Sequence, residues 1–209
     1  MDHIDTIYYC NLDHRADRKA QMLEELRKLD IPESKIVRIP SVYTPKFGIL
    51  GCGKSQINAI KHFIESGKQT CLILEDDFTF TLEKEKINEI LHNFFNKKVY
   101  FDCLMIGGNI LQAVQTELPY IKKVYDGQCC SSYIITNTFA PILLGLWEEA
   151  SQLLEEYIQE NGKPFHFYCL DIAWKQLQPH SHWFVTEPKM GIQRESYSDI
   201  ENKVVFYNV

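Results

Sequence analysis

The chain reads as an α/β protein, one domain with a mostly parallel central sheet flanked by helices. Three observations predict this. Short runs of strand formers alternate with amphipathic helical stretches through the first half. Two of the runs, Cys71–Leu74 and Cys103–Ile106, are apolar without interruption, as strands covered on both faces are. The length of 209 residues suits one domain, since domains run to about 100–200 residues.

Taken in order, Thr6–Cys10 is rich in strand formers and ends at the polar Asn11-Leu12-Asp13. From Arg15 to Leu29, Ala16, Ala20, Leu23 and Leu26 recur at helical spacing, with Asp13 as the expected N-cap. Lys35–Ile39 is a second strand. Ser55–Ser66 is a helix with Ile57, Ile60 and Ile64 on one face. Cys71–Leu74 follows and stops at three acids, Glu75-Asp76-Asp77. Ile87, Ile90, Leu91, Phe94 and Phe95 mark the next helix. Cys103–Ile106 ends at Gly107-Gly108, Tyr133–Thr136 is another strand, and Phe139–Glu160 is a long helix entered through Pro141. A shorter helix is expected within His166–Gln178. Ligands of such sheets bind beyond the carboxyl ends of the strands, which directs attention to Asn11, the acid triplet and Gly107-Gly108.

Composition narrows the function classes. The hydrophobic fraction of 45% and charged fraction of 24% exclude a disordered chain. The longest apolar stretch, Phe139–Trp147, has nine residues, whereas a membrane helix needs about 20. With 28 acids against 22 Lys and Arg, the formal charge of −6 opposes broad nucleic-acid binding. The seven cysteines (10, 52, 71, 103, 129, 130, 169) form no C-x-x-C pair, and four sit in apolar or aromatic runs. They read as reduced thiols. With no secretory signal and no N-x-[ST] sequon, the expectation is a cytoplasmic protein without a membrane anchor.

Gly48–Ser55 satisfies the phosphate-loop pattern G-x-x-x-x-G-K-[ST]. That loop needs a hydrophobic strand directly before its first glycine, and Pro40 and Pro45 forbid one. The glycines are therefore expected to make a tight entry to the helix starting near Ser55. The acid triplet carries more. Three consecutive carboxylates at a buried strand end repel one another and call for a cation or strong donors. Their oxygens suit Mg²⁺ or Mn²⁺ bound with substrate phosphates; the plainer reading is a solvated strand end or a helix cap. Arg15 and Arg18 share a helical face and either meet phosphate or pair with nearby aspartates. Asp171, at a helix start among aromatic residues, serves as a base or caps the helix. His180 and His182 offer imidazoles to a metal or decorate the surface. Tyr133, Trp174 and Trp183 either fill the core or stack on a sugar.

The order of these blocks resembles glycosyltransferase family 25. The blocks are Asn11-Leu-Asp-His-Arg15-Ala-Asp-Arg18, Gly51-Cys-Gly-Lys-Ser-Gln-Ile57, Leu72-Ile-Leu-Glu-Asp-Asp77, Asp102-Cys-Leu-Met-Ile-Gly-Gly108, Ser131-Ser-Tyr-Ile-Ile-Thr136 and the closing Gln193…Ser198-Asp199-Ile200. Together they span almost the whole chain. The family includes lipopolysaccharide-type and procollagen galactosyltransferases, and compact single-domain members in bacteria and large DNA viruses.

The resemblance implies a single-domain GT-A fold, Rossmann-like, with residues 1–110 binding the nucleotide sugar and 111–209 the acceptor. It implies a UDP-sugar donor, a Mn²⁺ or Mg²⁺ cofactor, and a glycan or glycosylated protein as acceptor. By similarity Asp77 and Glu75 hold the metal, with His182 as a further candidate ligand. Asn11, Arg15, Arg18, Glu75 and Asp76 bind the nucleotide. Gly107, Gly108 and Asn109 hold the donor sugar, and Asp171 is the catalytic base of an inverting hexosyl transfer. Where the family commonly carries Ser-His, this chain has Ser55-Gln56, so no role for an imidazole carries over. Two other functions remain beside this one: a P-loop NTPase or kinase using Gly48–Ser55, and a non-catalytic glycan-binding relative.

Overall fold

The computed structural model of the chain describes residues 1–198 and 203–205. In chain order the elements are β1 (Thr6–Asn11), α1 (Ala16–Lys28), β2 (Ile36–Pro40), α2 (Gly48–Ser66), β3 (Thr70–Glu75), β4 (Phe78–Phe80), α3 (Lys84–Asn96), β5 (Cys103–Met105), β6 (Asn109–Gln115), β7 (Ile121–Gln128), β8 (Ser132–Thr136), α4 (Ala140–Asn161), α5 (Leu170–Ala173), β9 (Trp183–Thr186), β10 (Gly191–Gln193), β11 (Ser196–Ser198) and β12 (Lys203–Val205). Asp199 and Ile200 of the closing motif lie outside the described residues.

Eight strands form one sheet in the order β2-β1-β3-β8-β5-β9-β7-β6. Six point one way and β8 and β7 point the other, so the sheet is mixed. Strands from both halves of the chain interleave, because β8 separates β3 from β5. The alternation along β1 explains the layering. Tyr8 and Cys10 face one core with Ile57, Ile60 and Phe63 of α2 and Leu143 and Trp147 of α4. Ile7 and Tyr9 face the other, with Met22 and Leu26 of α1 and Ile87, Ile90 and Phe94 of α3. Both faces of the sheet are thereby covered, which is why β3 and β5 read as apolar runs.

Several expectations need correction. Helix α1 buries Met22, Glu25 and Leu26, while Ala16, Ala20 and Leu23 face outward. Asp13 does not cap it; Arg15 occupies the N-cap position and makes no side-chain capping hydrogen bond, and Asp13 pairs with Arg38 at 2.5 Å. Helix α2 begins at Gly48, so the glycines lie inside it. Gly51 is required there by close approach, since a Cβ would overlap Val42 O and the Thr44 side chain. The phosphate-loop reading falls with this: Lys54 pairs with Glu155, and Ser55 Oγ donates to Gly51 O at 2.6 Å. His166–Gln178 is broken into 3₁₀ turns around the single turn of α5. Tyr133, Trp174 and Trp183 are fully buried and pack on one another, not on a ligand surface.

Among the described residues no helix is long and apolar enough to cross a membrane. All seven cysteines are free thiols.

Candidate active site

The acid triplet forms the turn from β3 into β4, at the end of the sheet where β1 and β3 terminate. Its three side chains separate in role. Asp76 is buried and held from two sides: Asn11 Nδ2 donates to its Oδ2 at 2.6 Å and Arg18 to its Oδ1 at 2.9 Å. Together with Glu75 and Asp77 it lines a cavity of about 130 Å³, bounded also by the loop Ser41–Thr44. Burial and the neighbouring Asp77 push Glu75 up to about 7, against hydrogen bonds from Cys52 and Gln56. Asp77 is raised too, by burial, although the Arg18 guanidinium 3.1 Å away pulls the other way. One arginine therefore leaves two recessed carboxylates short of positive charge.

A second cavity, of about 440 Å³, opens beside the first. The two share Cys52, Gln56, Glu75 and Gln193. Asp171 lines the second cavity together with Asn109 and Gln128. Asp171 lies inside α5 and does not cap it; Cys169 is the N-cap. Instead Asp171 Oδ2 accepts the backbone N–H of Cys129 at 3.0 Å. Cys129 has φ = +73°, a left-handed conformation uncommon for a side-chain-bearing residue. Backbone strain of this kind is held by surrounding structure and gathers at functional sites.

The sequence-derived site residues thus divide. Arg15, Arg18, Glu75, Asp76 and Asp77 line the first cavity, and Glu75, Asn109 and Asp171 the second. Arg15 sits at the cavity wall, bonded to Asp17 and to Tyr197 O. Arg18 is committed to Asp76, Asp77, Ser196 and Tyr197 O, so it neutralises acids first.

Other residues lie elsewhere. Asn11, only 1% exposed, stands behind the wall, holding Asp76 and receiving Arg38 on its Oδ1 at 2.9 Å. Gly107 packs on Phe78 and Ser132, and Gly108 on Met105 and the carbonyls of Gln128 and Cys129, so neither forms the cavity surface. His182 is a correction. It precedes β9, which runs parallel to β5, and therefore sits at the end of the sheet opposite the acids. There its backbone N–H and Nδ1 meet Asp102, at 2.7 and 3.3 Å, and its ring stays 59% exposed. His180 is exposed in the adjoining turn.

Two contributors, Gln193 and Gln56, have no site role in the sequence analysis. Gln193 reaches the acids because β10 pairs with β4 in the register Gln193↔Phe78, and Arg194 N–H extends the ladder to Asp77 O at 2.7 Å. Gly191 makes that pairing possible, since a Cβ there would overlap Thr79 O. Gln56 is the other: its Nε2 donates to Glu75 Oε1 at 3.2 Å and its Oε1 accepts Tyr133 OH at 3.0 Å.

No family model matches the chain. It is similar to procollagen galactosyltransferase 1-B of Xenopus laevis, 26% identical over 140 residues, covering 55% of this chain and 23% of that protein. The 1-A form from the same organism is 25% identical over the same extent. The chain thus spans about a quarter of the length of these relatives. Among solved structures, the crystal structure of A197 from STIV covers 99% of this chain and 95% of that one, at 12% identity and a TM-score of 0.49.

The donor set can be tested against a divalent cation. Among the described residues no three His, Cys, Asp or Glu side chains converge as a complete ligand set. Mg²⁺ and Mn²⁺ in phosphate-handling sites need less: one or two carboxylates, with water and substrate phosphates filling the other positions. Glu75 and Asp77 match that requirement, and their unmet negative charge is the electrostatic reason a cation fits.

Proposed function

We propose that the chain is a glycosyltransferase of GT-A type. It moves a hexose from a UDP-sugar to a hydroxyl of a glycan or glycosylated protein, with Mn²⁺ or Mg²⁺ held by Glu75 and Asp77. One observation carries this reading: two adjoining cavities share the wall residues Glu75 and Gln193, with an acid pair at the first and a lone, backbone-anchored carboxylate, Asp171, at the second. Similarity to the galactosyltransferases supports it.

In this reading the first cavity takes the nucleotide diphosphate and the second takes the acceptor, and residues of both the 1–110 and the 111–209 halves line each of them. A cation held by Glu75 and Asp77 would supply positive charge to offset that of the diphosphate. Arg15 orients the phosphates at the wall. Asp171, held by Cys129 N–H, takes the proton of the acceptor hydroxyl as that oxygen bonds to the anomeric carbon. The bond from that carbon to the diphosphate oxygen breaks, and its electron pair leaves on UDP. Attack from the face opposite the leaving group inverts the anomeric configuration. Seven free thiols suit a reducing compartment, and we place the enzyme in the cytoplasm.

The test is UDP release from a panel of UDP-hexoses with Mn²⁺. Turnover that EDTA abolishes and Asp77→Ala lacks supports the enzyme. Absence of metal-dependent turnover with every donor would favour a glycan-binding module.

A further inference from the structure

Gln193 is the point where the two cavities join, and it is 8% exposed. Its Nε2 donates to Glu75 Oε2 at 3.2 Å and stands 3.5 Å from Asp77 Oδ1, so one amide nitrogen sits between two carboxylates that repel each other. Its Oε1 meets Cys129 Sγ at 3.2 Å. A thiol is a weak donor and a weak acceptor alike, so that end of the amide discriminates little between oxygen and nitrogen. The stronger orientational preference comes from the acid end. There, negative charge favours nitrogen and a cation favours oxygen. Rotation about the terminal side-chain torsion exchanges the amide's nitrogen and oxygen while the backbone stays where β10 pairs with β4 at Gln193↔Phe78.

We propose that Gln193 is a two-position residue. Without a cation its nitrogen bridges Glu75 and Asp77; with a divalent cation between them it turns over and supplies a neutral third oxygen ligand. This rests on the reading of Glu75 and Asp77 as the cation-holding pair, and it explains why two carboxylates suffice.

The experiment is Mn²⁺ binding followed by the electron paramagnetic resonance signal of free Mn²⁺, with and without UDP. Wild type, Gln193→Leu and Gln193→Glu are compared after each is shown to be folded by circular dichroism. Loss of a supporting group at a metal site typically weakens affinity about 10–100-fold. Gln193→Leu is expected to lose affinity in that range, and Gln193→Glu, which restores an oxygen, to match or exceed wild type. Alongside, Mg²⁺ added to wild type is expected to shift the Gln193 side-chain amide resonances, assigned by their loss in Gln193→Glu. Unchanged affinity in Gln193→Leu, or, should that variant not fold, an unmoved amide resonance on saturation with Mg²⁺, overturns the inference and leaves the cation site standing. A wild type that binds no Mn²⁺ in either condition overturns both.

Discussion

Arg18 Nη1 lies 2.9 Å from Asp76 Oδ1 and 3.1 Å from Asp77 Oδ2, bridging a carboxylate of the buried scaffold to one of the open site. A single guanidinium thus sets the spacing of the acid turn. Removing one partner from a buried charge pair leaves the other uncompensated, at a cost of about 3–5 kcal/mol. Arg18→Ala is therefore expected to lose stability in that range by urea denaturation. Adding Asp76→Asn should recover part of the loss, because it removes one stranded charge. Two independent, additive losses in the double variant would show that the pair is not coupled.

The acid pair also makes stability depend on pH in an unusual direction. Glu75 has an ordinary value of 4.5 and stands at about 7 in the fold, pushed there by burial and Asp77. Between those values the native state holds a proton that the unfolded chain has lost, so stability falls as pH rises through the window. The groups facing Glu75 are Cys52, Gln56, Asp76, Asp77 and Gln193. In EDTA, the melting temperature is expected to fall between about pH 5 and about pH 7.5, and to fall less in Glu75→Gln. An identical slope in both proteins would assign the effect to other groups.

Asp171 separates binding from chemistry. Asn at this position can still accept the Cys129 N–H but cannot take a proton. Loss of a general base costs about 10²–10⁴-fold in rate. Asp171→Asn should show a drop in kcat of that order with UDP affinity unchanged by calorimetry. A variant that transfers sugar at the wild-type rate would put the base elsewhere.

His182 offers the opposite outcome. It bonds Asp102 at the far end of the sheet. Surface substitutions of this kind change stability by about 0.5 kcal/mol or less. His182→Ala is expected to keep wild-type Mn²⁺ affinity and UDP release; a loss of either would tie that end of the molecule to the site.

The sequence conveyed the scaffold better than the site. β3 and β5 were legible because both faces are covered, which leaves continuous apolar runs. The acid turn was legible because three carboxylates ending such a run are electrostatically costly. The start of α2 was misread since glycine disfavours helix by about 1 kcal/mol, whereas the loop carrying Val42 and Thr44 demands a residue without a side chain at Gly51. β4 and β10 are three residues each and find their register only in each other, so nothing local announces them or the arrival of Gln193. His182 was the recoverable error. Reading Trp183–Thr186 as a strand parallel to Cys103–Met105 places the preceding residue at the amino end, away from the acids.

Thermal stabilisation by ligand tests the central claim most directly, because a ligand that binds only the native state raises the melting temperature. UDP with Mn²⁺ is expected to raise it, EDTA and Asp77→Ala to abolish the rise, and ATP with Mg²⁺ not to match it. Stabilisation by ATP with Mg²⁺ alone, or a UDP effect untouched by EDTA and by Asp77→Ala, would contradict a cation-dependent UDP-sugar site at Glu75 and Asp77.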